Sequence, residues 1–172
     1  MNNQFQYPTV QRLLLPICLF VCTIFLYIPV NAQEKPPKPI TVKVRTYQPL
    51  TFGTFIQSGS YGTVIVSPQG ARTATGSIIL PNINSICTAA LFDVEAIPGT
   101  LITIFNGADA TLTGSNTGTL TLIIGGSFPQ SPFITTGEHT QITIGGTLIV
   151  GPLATNPAGD YSGTFQVTFI QQ

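Results

Sequence analysis

Residues 89–97 read AALFDVEAI, and this stretch decides the fold. Ala90, Phe92, Val94 and Ala96 fall on one side of a period-two alternation, with Leu91, Asp93 and Glu95 on the other. Successive side chains of an extended chain point to opposite faces, so this alternation marks a half-buried strand. Pro98 and Gly99 close it with a turn dipeptide. Its polar face predicts that Asp93 and Glu95 meet solvent, where carboxylates also discourage edge-to-edge association.

The same period extends outward in both directions. Ile40, Val42 and Val44 alternate with Thr41, Lys43 and Arg45. Further extended runs fall at 50–54, 63–67, 72–80, 101–105, 117–124, 141–150 and 161–170. Val, Ile, Thr and Phe fill them, and Gly, Pro, Asn or Ser bound nearly all of them. No window of about eleven residues carries a clean helical stripe. The reading is all-β: an antiparallel sandwich or barrel. Residues 122–128 (LIIGGSF) resemble 142–148 (ITIGGTL). Two copies are too few for a solenoid. Each Gly pair predicts a bulge or bend.

The N-terminal third has another character. Residues 13–30 form an apolar run, and Val30 and Ala32 sit where a signal cleavage site wants small residues. Cleavage after Ala32 is expected, with an uncleaved anchor as the rival, since 18 residues just span a bilayer. Residues 1–32 are thus a signal segment, 33–39 (QEKPPKP) a Pro-rich linker, and 40–172 one domain. Cys18 and Cys22 would leave with the signal, and Cys87, left alone, reads as a small buried hydrophobe.

Charge is scarce: six basic and six acidic side chains in 172 residues, with one His. A neutral chain with no basic stripe is no nucleic-acid binder. Four of the basic residues, Lys35, Lys38, Lys43 and Arg45, cluster in one short stretch. Beyond it Arg72 alone stands against Asp93, Glu95, Asp109, Glu138 and Asp160.

Several segments resemble a family of small bacterial secreted domains of unknown function, itself similar to fimbrial and spore-coat-type subunits. They are LTFGTF at 50–55, GTVIV at 62–66, RTATG at 72–76, ALFDV at 90–94, IGGTL at 144–148 and PAGDYSGTF at 157–165. They occur in one order across most of the domain. The resemblance implies an immunoglobulin-like sandwich exported to the periplasm, cell surface or medium of a bacterium. It implies no catalytic residue. The basic stretch 40–47 precedes the first matching segment. Tyr161 has a physical reading of its own, since it follows a turn and opens the terminal run. A Tyr placed there can bury its ring and bond backbone through its hydroxyl, as in a tyrosine corner.

The chemistry-bearing residues do not converge. His139 lies in the polar stretch GEHT at 137–140 and reads as a solvated loop residue. No G-x-S-x-G nucleophile motif accompanies it. Asp109 and Asp160 sit in turn sequences, and no Asp-rich loop supplies a calcium site. The expectation is therefore no enzyme, no cofactor and no metal. The leading function is a structural or adhesive surface protein that assembles with copies of itself or another surface subunit. Ile40, Val42 and Val44 are the candidate exchanged strand, because apolar N-terminal strands complete neighbouring sandwiches by β-augmentation. The rival reading makes 40–47 the first strand of its own domain. An alternative function is a soluble secreted or periplasmic module for glycan or protein, with Phe128 and Phe133 as loop contacts. A small outer-membrane barrel is a third reading, disfavoured by the absence of Trp and a polar C-terminus, so the mature chain is expected to lie outside the membrane.

Overall fold

A computed structural model describes residues 43–82 and 85–172. The expected signal segment and linker, and with them Ile40 and Val42, lie outside the described residues. The described chain is all-β, with no helix. Eleven strands follow in order: β1 (Lys43–Gln48), β2 (Ile56–Val66), β3 (Arg72–Ile79), β4 (Ala90–Glu95), β5 (Leu101–Asn106), β6 (Ala110–Gly114), β7 (Thr119–Phe128), β8 (Phe133–Ile134), β9 (His139–Val150), β10 (Tyr161–Ser162) and β11 (Val167–Gln171). Their pairings are antiparallel, and the sheets curl into a half-barrel.

Eight strands form one sheet, and β11, β5 and β8 form a second of three. β9 is the axis of the large sheet. Along one edge it pairs with β7, and the other edge is shared. β4 takes 139–144 and β2 takes 146–150. The handover falls at Gly145 and Gly146, where a Cβ on Gly145 would stand 2.9 Å from Pro68 N and closer still to the Val66 carbonyl. The other Gly pair marks an irregular step in β7, whose register against β9 slips between Ile124 and Ser127. Both pairs lie inside strands and reconcile crowded ladders.

Alternation then builds the core. Ala90, Phe92 and Val94 of β4, Ile142, Ile144, Leu148 and Val150 of β9, and Leu120, Leu122 and Ile124 of β7 are buried. From the small sheet come Ile102 and Phe133, with Ile104, Val167 and Phe169 packed against them. The rings of Phe92 and Phe169, one from each sheet, lie 5.6 Å apart, so the two sheets face each other across this core. Each fully buried Val, Leu or Ile contributes roughly 1.5–3 kcal/mol.

Three expectations need correction. The single terminal run at 161–170 is two strands in different sheets, with the chain crossing between them at 163–166. Gly163 permits the crossing, since a Cβ there would meet the Thr111 carbonyl at 2.6 Å. Asp93 is not solvent-facing but only 5% exposed, because the His139 ring closes over it. Cys87 is half-buried at the core margin, its thiol 3.8 Å from the Gly70 carbonyl.

A groove between unequal sheets

Three strands cannot cover the face of eight. The space left beside them is a groove of about 1440 Å³, floored by Ala90, Phe92, Leu112, Leu120, Leu148 and Val150. One wall is the segment 49–57, and the other runs through Tyr161 to Phe169 and includes β11. β11 ends the small sheet and pairs with β5 alone among the described strands, so its second edge borders the groove. The floor residues are individually buried. Exposed apolar surface therefore belongs to the walls, where Leu50, Phe55, Phe165 and Phe169 are half-buried.

The wall at 49–55 is a strap rather than a strand, and two stations hold it. Thr51 exchanges backbone hydrogen bonds with Thr88 at 2.8 and 2.9 Å, and the Thr88 hydroxyl donates to the Pro49 carbonyl at 2.9 Å. Beyond it, Arg72 Nη1 donates to the carbonyls of Phe52 (3.0 Å) and Thr54 (3.2 Å) and reaches Ser85 Oγ at 3.5 Å. The Thr54 N–H donates to the same hydroxyl. Gly53 lies between these contacts with φ of 67°, a conformation that L side chains resist. The LTFGTF segment thus has a physical reason for its glycine. Sequence reasoning missed Arg72 as a structural residue. Its signal was available, because it is the one cation beyond residue 45.

Tyr161 closes the far end. Its hydroxyl donates to the Pro157 carbonyl at 2.7 Å, and its half-buried ring lies against Gly114, where an added Cβ would come within 2.7 Å of it. β10 opens there and pairs with β6.

The remaining candidates do not converge on the groove. Val44 stands opposite Val94 in the β1–β4 register, within its own domain. That register also places Lys43 opposite Glu95 and Arg45 opposite Asp93. Phe128 is 58% exposed, whereas Phe133 is in the core. His139 is the first residue of β9 rather than a loop residue, and its Nδ1 lies 2.8 Å from Asp93 Oδ2. A buried carboxylate orienting an exposed imidazole is two-thirds of a nucleophilic triad. No serine or cysteine is bonded to that ring among the described hydrogen bonds, and the pair ties β4 to β9 across diagonal positions. No group of three or more His, Cys, Asp or Glu able to hold a metal occurs among the described residues. No helix there is long and apolar enough to cross a membrane.

A family model described as a domain of unknown function (DUF4402) matches residues 42–170. No curated protein and no solved structure matches the chain.

Proposed function

Because the chain belongs to that family of domains of unknown function, whose description names no activity, we propose its role from geometry. It is an exported, non-enzymatic structural or adhesive surface subunit that assembles by strand addition. Its domain is an immunoglobulin-like sandwich left one strand short, in the manner of a fimbrial subunit. The observation that carries this reading is the groove, where the edge of β11 that no described strand pairs runs beside half-buried apolar walls. An extended chain laid there gains backbone hydrogen bonds from the edge and side-chain burial from the walls, which is β-augmentation. The donor is the N-terminal strand of a neighbouring copy. Val44 is paired in cis, so the donor stretch narrows to residues up to Val42.

Sedimentation of the exported protein over a concentration series tests this. Oligomers should grow with concentration, and Ile40→Asp with Val42→Asp should leave monomers of unchanged melting temperature. A wild-type chain that stays monomeric to about 100 μM, where even weak specific association shows, sinks the reading.

A further inference from the structure

The hairpin of β2 and β3 carries a feature that neither the core nor the groove uses. Gln57 pairs with Ile78 and Gly62 with Gly76, so four residues of β2, Ser58 to Tyr61, oppose the single residue Ser77. An ordinary bulge adds one residue. This one takes four residues out of the ladder, and its product is a Tyr61 side chain 65% exposed.

The distortion is built in one conformation. A Cβ on Gly59 would stand 2.8 Å from Ser77 Cβ, one on Gly62 would meet the Thr75 carbonyl at 2.5 Å, and one on Gly76, at φ of 66°, would meet the Tyr61 carbonyl at 2.5 Å. The Ser58 hydroxyl donates to the Ser77 carbonyl at 3.0 Å. The Gln57 amide donates to the carbonyls of Gly59 and Ser60 and, across the chain, to that of Gly151. Three crowded glycines and a committed amide hold a segment that buries nothing. Departures from local rules without structural return are where function is expected, and bulges re-aim side chains at such places.

The chemistry of the site selects its ligand. No charged residue occurs in 56–66 or 73–82. Tyr, Ser and Gly are the composition of adaptable recognition surfaces, with the rigid amphipathic ring as anchor and hydroxyls as polar contacts. A protein partner needs roughly 20–30 residues a side, far more than a four-residue bulge offers. A pyranose ring, with one apolar C–H face and a rim of hydroxyls, matches a single phenol flanked by serines. We propose that the 58–61 bulge is a binding site for a neutral glycan, with Tyr61 stacking on the sugar face and Ser58 and Ser60 beside it. This rests on the adhesive half of the proposed function and not on the groove.

The test is co-sedimentation of the exported full chain with insoluble cellulose, chitin and mannan, beside alginate and albumin-coated beads. At least one neutral polymer should retain the protein, with no loss on raising salt, because no charge pair is involved. Tyr61→Ala should weaken that retention at least about tenfold and Tyr61→Phe less than about threefold, both with unchanged melting temperature. Tyr47→Ala, which removes another exposed ring, should change nothing. Retention by none of the neutral polymers, retention only by alginate or albumin, or equal loss in the Tyr61 and Tyr47 variants would overturn the assignment. Assembly is read separately by sedimentation, so either reading can fail alone.

Discussion

Gly53 and Gly70 share almost one backbone conformation, with φ of 67° and 81°, yet substituting them should have different consequences. The left-handed region costs an alanine about 1–2 kcal/mol, and the reduced freedom of the unfolded chain returns about 0.4–1 kcal/mol. At Gly70 an added Cβ meets nothing within 4 Å, so Gly70→Ala should destabilise by about 1 kcal/mol. At Gly53 the Cβ would stand 2.6 Å from Arg72 Nη1 and 2.9 Å from the Ile86 carbonyl, and closer still to Ser85 Oγ. The guanidinium must leave, and with it go the contacts to Phe52 and Thr54. Hydrogen bonds to charged donors contribute about 1.5–3 kcal/mol each. Arg72 is only half-buried, so the pair together is taken at about 2 kcal/mol. Gly53→Ala should therefore cost about 3 kcal/mol, roughly 6–10 °C more in Tm than Gly70→Ala for a domain of this size. Urea unfolding with unchanged m-values and thermal melts measure it, with Gly99, also open at φ of 87°, as a second control. Arg72→Ala should reproduce the excess, and the double variant should add nothing further, since both changes break one interaction. If Gly53→Ala and Gly70→Ala agree within about 0.5 kcal/mol, below the loss of even one such bond, the Arg72 station does not hold the strap.

Tyr161→Phe should lose about 1 kcal/mol in urea unfolding, the worth of one hydrogen bond, and Tyr161→Ala about 3 kcal/mol, because the ring goes too; a Tyr161→Phe variant as stable as the wild type would mean the hydroxyl contact with Pro157 contributes nothing. Thr117 is the one described non-glycine residue with positive φ, 67°, and it is β-branched. Thr117→Asn should raise stability by about 1 kcal/mol by easing that conformation, and a lowered melting temperature would show that the hydroxyl or methyl is needed where it is.

Strands were legible where one face meets the core and the other meets water. β4 and β9 announce themselves through Phe92 and Val94, and through Ile142, Ile144 and Leu148. β6 (ATLTG) was missed because it is short and rich in turn-compatible residues. The break between β10 and β11 was missed because Phe165 and Val167 continue the apolar pattern while the chain changes sheets. Alternation told which side Asp93 takes but not whether anything covers that side. Covering is a tertiary fact, here supplied by the His139 ring across the ladder. The groove was invisible for the same reason. It arises from eight strands facing three, a ratio that no local window encodes. The strap was half legible, since its glycine was visible and its clamp was not.

The geometry of the groove also bounds how strongly copies can associate. Because the floor is already buried, an incoming strand gains mainly from Leu50, Phe55, Phe165, Phe169, Ile56 and Leu153 on the walls and mouth. Six half-exposed large side chains contribute about 4–9 kcal/mol at half the usual burial gain. Association itself costs at least about 4 kcal/mol in lost freedom, and edge hydrogen bonds add about 0.5–1.5 kcal/mol each. The balance corresponds to micromolar or weaker affinity rather than to a permanent fibre. The floor needs no neighbour to cover it, because Phe52 on the strap is itself buried in the core. On the proposed reading, association in solution sets in by about 100 μM, and tethering on a surface, which raises the effective concentration to the millimolar range, would complete it.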